Sequence, residues 1–121
     1  MTSYFFDTYA LMEIVKGSPS YKKYAEAHGY TSLLNLYELY FLLLRDRGEA
    51  VAKMYFNLFK QIRLAVKDEH IFAASAFKVM HNKLGISYAD ALGYAMAGTE
   101  SMQFLTGDNE FKGRANVEFV K

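Results

Sequence analysis

The predicted fold depends on two short apolar segments, Ser3-Tyr4-Phe5-Phe6-Asp7 and Phe104-Leu105-Thr106-Gly107-Asp108. Each segment is long enough for one strand, and each runs into an aspartate, directly in the first case and after a glycine in the second. If both strands belong to one parallel sheet, their carboxyl ends meet at the same edge, where ligands bind in such sheets. We therefore expect Asp7 and Asp108 to lie at one edge of the sheet.

Outward from these two segments, strand-like stretches alternate with helical periodicity. The predicted strands cover residues 3–6, 30–31, 64–66, 103–106 and 117–120, and the predicted helices cover residues 9–15, 21–28, 32–46, 49–63, 71–83 and 88–97. This alternation predicts an α/β fold, a three-layer α/β/α sandwich around a mainly parallel five-stranded sheet. Because the chain has 121 residues and neither a repeat nor a linker, we expect one domain over residues 1–121.

Composition excludes several classes of function. The chain has 52% hydrophobic residues and one proline, as expected of a folded domain, and its formal charge of +1 argues against a general nucleic-acid coat. The absence of cysteine excludes disulfides, thiolate zinc sites and a cysteine nucleophile. No signal peptide is evident at residues 1–7, and the apolar run over residues 33–44 is short of the roughly 20 residues of a membrane span. We expect a cytoplasmic protein with no membrane contact.

Two further carboxylates stand out because their neighbours are apolar. Between residues 33 and 44 the only conventionally polar side chains are Asn35 and Glu38, which share one helix face. The helix is apolar nearly all round and is expected to be buried, so Glu38 has a basic partner, occupies a narrow exposed strip, or belongs to a site. Asp90 is the only charged residue from 88 to 99, and it either caps its helix together with Ser87 or belongs to the same site.

Taken singly, Asp7 is also explained as a helix cap and Asp108 as a turn residue. Taken together, four carboxylates at one edge would repel one another unless cations were bound between them. Mg²⁺ and Mn²⁺ prefer oxygen ligands and accept phosphate oxygens in the same shell. The pattern therefore favours phosphodiester cleavage, in which one ion activates a water and a second stabilises the departing oxygen.

With these residues in this order, the chain resembles PIN domains, most closely the VapC-type toxin ribonucleases. The matching segments are Phe6-Asp7-Thr8, Leu36-Tyr37-Glu38-Leu39, Ser87-Tyr88-Ala89-Asp90-Ala91 and Leu105-Thr106-Gly107-Asp108-Asn109-Glu110-Phe111. The resemblance implies an endoribonuclease for single-stranded or looped RNA that depends on Mg²⁺ or Mn²⁺, with two ions when substrate is bound. It implies that the catalytic and metal-binding residues are Asp7, Glu38, Asp90 and Asp108, and that the supporting residues are Thr8 and Thr106. It also implies a homodimer and an antitoxin that blocks the cleft.

Basic and imidazole side chains add less to the interpretation. Lys112 and Arg114 follow Asp108 closely and either contact RNA phosphates or are simple surface charges. The three histidines, His28, His70 and His81, have no ligand spacing with one another or with the four acidic residues of the predicted site. We therefore expect them at the surface. A ribonuclease mechanism that depends on histidine is therefore disfavoured.

Other classes of protein fit the sequence less well than a toxin ribonuclease. A response-regulator receiver would need paired acids before its first helix, and a dehalogenase-type phosphatase would need an aspartate where Tyr9 stands. Two closer alternatives keep the PIN fold: a nuclease that processes or degrades RNA without an antitoxin, and a catalytically inactive module that binds RNA or protein. Retention of all four acidic residues argues against the inactive module.

Overall fold

A computed structural model describes all 121 residues. Its strands are β1 (Ser3–Phe6), β2 (His28–Tyr30), β3 (Gln103–Thr106) and β4 (Val117–Phe119), and its helices are α1 (Thr8–Lys16), α2 (Leu33–Arg47), α3 (Glu49–Lys60), α4 (Asp68–Met80) and α5 (Tyr88–Thr99). The strands form one sheet in the order β2-β1-β3-β4, and every neighbouring pair is parallel. The two segments that predicted the fold are thus adjacent at the centre of the sheet.

The sheet has four strands, so the prediction of a fifth strand over residues 64–66 is wrong. At that point the chain makes only an isolated bridge between Thr31 and Arg63, and the Leu64 backbone N–H donates to the Thr31 carbonyl over 2.8 Å. The chain enters α4 at Asp68 without forming a second bridge that would extend the pairing into a ladder. An apolar triplet resembles a strand in sequence, but a strand needs a partner over several residues.

The short helix predicted over residues 21–28 is also wrong in kind. The segment forms two 3₁₀ turns, Pro19–Tyr21 and Tyr24–Glu26, and then enters β2 at His28. A segment this short gains few helical hydrogen bonds for the cost of nucleating an α-helix. Its buried side chains, Tyr21 and Tyr24, set its conformation instead.

Side chains that alternate along the central strands divide the core between the two faces of the sheet. Phe6 and Leu105 pack against α1, α2 and α3 on one face, whereas Phe5 and Phe104 pack against α4 and α5 on the other. The α/β/α sandwich predicted from the sequence is therefore confirmed. No helix is long and apolar enough to cross a membrane.

The expectation that α2 is buried all round is wrong. Leu36, Leu39 and Leu43 face the core, but Tyr37 is 70% exposed and Phe41 is 56% exposed. Only the stripe of a helix that faces the sheet and its neighbouring helices can be buried in a single layer. The outer face of α2 therefore presents apolar side chains to solvent.

Candidate active site

All four acidic residues from the sequence line one open cleft of about 680 Å³ at the carboxyl edge of the sheet. Asp7 follows β1, Asp108 follows β3 after Gly107, Glu38 lies on α2, and Asp90 lies in the first turn of α5. Four separate parts of the chain thus contribute to one site. The sheet edge predicted from the two strand ends is where the residues meet.

Asp7 is both a helix cap and a member of this cleft. One carboxylate oxygen, Oδ1, accepts the Ala10 backbone N–H over 2.8 Å and caps α1. The other, Oδ2, accepts the Thr106 hydroxyl over 2.5 Å. The residue is only 1% exposed, so its orientation is fixed by contacts on both sides.

Thr106 joins the two strand-end aspartates. Its hydroxyl donates to Asp7 and accepts the Asp108 backbone N–H over 3.0 Å. Asp108 in turn accepts the Glu110 backbone N–H on Oδ1, which begins a 3₁₀ turn over Asn109–Phe111. The buried hydroxyl of Thr106 therefore fixes the spacing between the carboxyl ends of β1 and β3.

Close packing explains the glycine between Thr106 and Asp108. A Cβ atom at Gly107 would lie 2.2 Å from the Tyr9 ring and 2.6 Å from the Val120 carbonyl oxygen. Any side chain here would push the backbone away from Tyr9 and from the residue that follows β4. Glycine therefore sets the path of the loop that carries Asp108.

Glu38 is oriented by a directed chain of hydrogen bonds, of which the first, from Ser32 to Asn35, is fully buried. Ser32 donates its hydroxyl to Asn35 Oδ1 over 2.7 Å, and Asn35 Nδ2 donates to the Thr8 hydroxyl oxygen over 3.2 Å. Thr8 then donates to Glu38 Oε1 over 2.6 Å. Because Asn35 supplies a hydrogen to Thr8, the Thr8 hydroxyl hydrogen is directed at the carboxylate, and the second oxygen of Glu38 makes no such bond.

Sequence reasoning did not assign Asn35, a member of this chain of hydrogen bonds, to the site. Its side chain is completely buried in an otherwise apolar part of α2. A buried amide requires hydrogen-bond partners, so its place on the same helix face as Glu38 was the available signal. The partner across the fold, Thr8, is 27 residues away and could not be identified from α2 alone.

Asp90 completes the cleft from the opposite layer of the sandwich. Its backbone N–H donates to the Ser87 hydroxyl over 3.0 Å, which caps α5. The cap thus uses the backbone of Asp90 and the side chain of Ser87. Ser87 also lines the cleft.

Ionisation of Asp7 and Asp90 is unfavourable in the cleft. Burial raises the pKa of Asp7 to about 7, with smaller contributions from the charges of Asp90 and Asp108. Burial raises the pKa of Asp90 to about 6, and the charges of Glu38 and Asp108 add to the effect. Asp7 and Asp90 therefore lie where negative charge is unfavourable, and no salt bridge to either of them offsets it.

The donor set fits hard divalent cations. None of the four carboxylates is salt-bridged to a lysine, arginine or histidine. No three of them bring oxygens all within 4.8 Å of one another, which leaves space for waters between them. Mg²⁺ and Mn²⁺ are bound in this way, by a few carboxylates together with waters and substrate oxygens.

The cationic side chains that line the cleft differ from those expected. They are Lys16, Arg45 and Lys121. Lys112 and Arg114 do not line it: the Lys112 ammonium lies 5.4 Å from the centre of the Phe119 ring, and Arg114 Nε donates to the Glu110 carbonyl. A contact between RNA and Lys112 or Arg114 stays a prediction.

The expectation that His70 lies at the surface is wrong. The residue is completely buried, and its Nδ1 accepts the Lys67 backbone N–H over 3.0 Å. The hydrogen is therefore assigned to Nε2, which lies 2.9 Å from Glu100 Oε2 and donates to it.

His70, Glu69 and Glu100 form the one group of three side chains with closely spaced ligand atoms. A metal at Nε2 would have to displace the hydrogen that binds Glu100, and Lys67 Nζ already lies 3.7 Å from the same carboxylate. The group is better described as a tether between the start of α4 and the end of α5.

Comparison with known proteins identifies the family. The chain matches the PIN domain over residues 4–117. No sequence among curated proteins matches it significantly.

Solved structures share the fold. VapC20 of Mycobacterium tuberculosis, described as a sarcin-ricin loop cleaving toxin, superposes with a TM-score of 0.76 at 22% identity, over 97% of this chain and 96% of that one. A toxin-antitoxin complex from Klebsiella pneumoniae superposes with a TM-score of 0.75 at 19% identity, over 95% of each chain. VapBC2 of Rickettsia felis, bound to a promoter DNA fragment, superposes with a TM-score of 0.73 at 17% identity, over 98% of each chain. The chain therefore belongs to the PIN-domain family and has the fold of VapC toxins.

Proposed function

We propose that the protein is an endoribonuclease that depends on Mg²⁺ or Mn²⁺ and is the toxin of a VapBC-type toxin-antitoxin pair. The observation that carries this proposal is the convergence of Asp7, Glu38, Asp90 and Asp108 on one cleft with no cationic side chain paired to any of them. Asp7 is buried, and carboxylates grouped without salt bridges cost stability, so their presence together indicates that a cation is bound in function.

The structural neighbours support the choice of RNA. The Mycobacterium tuberculosis protein with the same fold is described as a toxin that cleaves the sarcin-ricin loop. The cleft of this chain is open and acidic, as a site that receives an RNA strand together with its cations requires. We propose single-stranded or looped RNA as the substrate class.

Divalent cations bound here would activate a water and stabilise the charge on the departing oxygen. The chain itself holds the ligands ready. Asp7 is fixed by Ala10 and Thr106, Glu38 is fixed by Thr8, and Asp108 is fixed by Glu110. Such preorganisation removes the need to reorient the carboxylates during the reaction.

An antitoxin has a suitable surface beside the cleft. Tyr37 and Phe41 on α2 are exposed and, with Leu42, border a smaller groove that also includes Thr8 and Glu38. An apolar segment placed there would contact Glu38 at the border of the acidic cleft. The toxin-antitoxin complexes among the structural neighbours support a partner of this kind.

We further propose a homodimer formed through the outer face of α4. Phe72 and Val79 lie seven residues apart on that helix and are 70% and 76% exposed, and Met80 and Tyr88 are exposed nearby. Apolar groups concentrated on one face of a soluble monomer indicate an interaction surface. We place the protein in the cytoplasm, where its proposed RNA substrate is found.

Two alternatives keep the same fold. An RNA-processing nuclease without an antitoxin would use the same cleft, and the exposed groove at Tyr37 and Phe41 favours the toxin over it. A catalytically inactive binding module would have no need of the Asp7, Glu38, Asp90 and Asp108 set. The choice between toxin and processing enzyme is tested by whether a partner protein binds the groove and stops cleavage.

The experiment for the main proposal is cleavage of a mixed-sequence single-stranded RNA by protein stripped with EDTA, with and without added Mn²⁺. Glu38→Gln is the matched control because it keeps the side-chain volume and an oxygen that can accept from Thr8. Cleavage that needs Mn²⁺ and disappears in Glu38→Gln is the expected result. Cleavage that survives in Glu38→Gln would indicate a contaminating nuclease, and the proposal would lose its support.

A further inference from the structure

Lys121 lies beside the acidic residues although it is far from them in sequence. Its side chain lines the same cleft as Asp7 and Asp108. The ammonium Nζ donates to the Gly107 carbonyl and to Asn109 Oδ1, each over 3.2 Å. These two acceptors flank Asp108, so the ammonium is held at the loop that carries this carboxylate.

The backbone around Lys121 is fixed from the other side of the fold. Tyr21 donates its hydroxyl to the Val120 carbonyl over 2.6 Å, and Ser20 donates to the Lys121 carbonyl over 3.2 Å. The ammonium lies 6.0 Å from the centres of both the Tyr9 and Phe119 rings. The side chain thus has a defined place rather than the freedom of an ordinary surface lysine.

Lys121 differs from the other cations of the cleft in its charge balance. Lys16 Nζ is salt-bridged to Glu13 over 3.4 Å, and Arg45 Nε is salt-bridged to Asp46 over 2.7 Å. Lys121 has no carboxylate within salt-bridge distance, because both of its acceptors are neutral. An ammonium has three N–H donors, so one donor and the full positive charge remain available.

We infer that the Lys121 ammonium binds a backbone phosphate of the RNA strand in the cleft, at a nucleotide adjacent to the cleaved bond. The inference rests on the proposed ribonuclease function and adds a substrate contact to it. Lysine acts as a point charge toward phosphate, and phosphate contacts of this kind fix the position of the strand without reading its sequence. The contact would hold the strand against the Asp108 side of the acidic cleft.

The test compares Lys121→Met with Lys121→Arg and with the control Lys60→Met. Lys60 is exposed at the end of α3, has no salt bridge and does not line the cleft. Cleavage of a fluorescent single-stranded RNA is measured with Mn²⁺ at several salt concentrations. Binding of the same RNA in Ca²⁺, by fluorescence anisotropy, provides a second readout that does not need cleavage.

Lys121→Met is expected to raise KM and the RNA Kd about 5-fold to 10-fold with kcat within about 2-fold of wild type. The slope of log(kcat/KM) against log[salt] should become less steep by about 0.7, the value for one phosphate contact on a single strand. Lys121→Arg should restore most of the affinity because it keeps the charge, and Lys60→Met should match wild type.

If Lys121 has only a structural role, its loss should affect kcat and metal binding and leave the salt dependence unchanged. Loss of support for the loop would lower kcat and weaken Mn²⁺ binding without changing the salt slope, and that result would overturn the inference while leaving the nuclease proposal intact. Wild-type protein that neither binds nor cleaves RNA would instead overturn the proposed function and this inference with it. Wild-type binding without cleavage, with affinity lost in Lys121→Met and retained in Lys60→Met, would support the contact.

Discussion

The carboxyl edge of the sheet and the outer face of α4 depart from ordinary protein surfaces in opposite ways. At the sheet edge, charged and polar groups such as Asp7 and Asn35 are buried. On α4, large apolar groups such as Phe72 and Val79 are exposed. Each arrangement is unfavourable in an isolated chain, because buried charge loses hydration and exposed apolar surface orders water.

The two regions are suited to different partners. Cations in the proposed metal site would compensate the carboxylates of the cleft. A second copy of the protein, as proposed for the α4 face, would cover the exposed apolar groups. Variants that alter one region should therefore leave the function of the other region unchanged.

The largest effect is expected from Asp7→Asn. The amide retains an oxygen that can accept the Ala10 N–H and cap α1, but it removes a charged ligand. Removal of groups that merely support a metal ligand costs about 10-fold to 100-fold in activity, so loss of a ligand should lower the rate of RNA cleavage by about 1,000-fold.

Asp46→Asn is the matched control for that variant. Asp46 also lines the cleft but is exposed and paired with Arg45. Cleavage kinetics of the two variants, with circular dichroism to confirm folding, give the comparison. Equal activity of Asp7→Asn and wild type would remove Asp7 from the site.

The apolar face of α4 should respond to a single charge. Phe72→Glu is expected to convert the dimer into a folded monomer, because an unpaired carboxylate would have to be buried in the interface. Met54→Glu is the control, since Met54 is 55% exposed on α3 at the opposite face of the sheet. Light scattering at micromolar concentration measures the mass, and a monomeric wild type would contradict the proposed dimer.

Removal of the amide that orients Thr8 should have a smaller effect. Asn35→Ala is expected to weaken Mn²⁺ binding and lower kcat by about 10-fold, as for other groups that support metal ligands. Thr8→Val should have a similar effect, and the two changes together should cost little more than either alone, because both break one chain of hydrogen bonds.

Asn57→Ala is the control for this prediction because Asn57 is an exposed asparagine within α3. Isothermal titration calorimetry with Mn²⁺ separates metal binding from catalysis. Fully additive effects of Thr8→Val and Asn35→Ala would show that the two side chains act independently.

The smallest effect is a change of stability with pH. Asp7 and Asp90 have pKa values of about 7 and about 6 in the fold, above their ordinary value of 3.8, so the folded state binds more protons than the unfolded state between these limits. Their contribution favours folding at low pH and is lost as the pH rises through the folded pKa values. The Tm of metal-free protein should therefore be a few degrees lower at about pH 8 than at about pH 5 on account of these groups.

Mn²⁺ should reverse this trend, because the metal binds the ionised carboxylates and releases protons. The rise in Tm on addition of Mn²⁺ should be larger at about pH 8 than at about pH 5, and the dependence should be reduced in Asp7→Asn. Differential scanning fluorimetry measures the Tm with and without Mn²⁺ at both pH values. An equal rise at the two pH values would mean that the metal binds elsewhere.

Sequence predicts the centre of this fold well because its signals are local. The strands that end at Asp7 and Asp108 were predicted as apolar runs followed by an acidic residue, and the structure places them side by side. Glu38 and Asp90 were singled out because each stands in an apolar stretch, and both line the same cleft. Patterns within ten residues are sufficient for predictions of this kind.

Contacts between distant segments were beyond the same reasoning. The bond from Thr8 to Glu38 and the placement of Lys121 beside Asp108 depend on how the helices and β4 return to the sheet edge. The burial of His70 likewise depends on Glu100 at the end of another helix. The false strand at residues 64–66 has the same origin, because local apolarity does not reveal whether a partner strand is present.

Anomalous diffraction from crystals grown with Mn²⁺ tests most directly whether the acidic cleft binds metal. The acidic cleft predicts a manganese peak among the carboxylates of Asp7, Glu38, Asp90 and Asp108. The one cluster of three side chains with closely spaced ligand atoms is formed by Glu69, His70 and Glu100, where the bond from His70 to Glu100 opposes metal binding. A peak in the cleft would establish the metal centre, whereas a peak only at His70, or none at all, would contradict it.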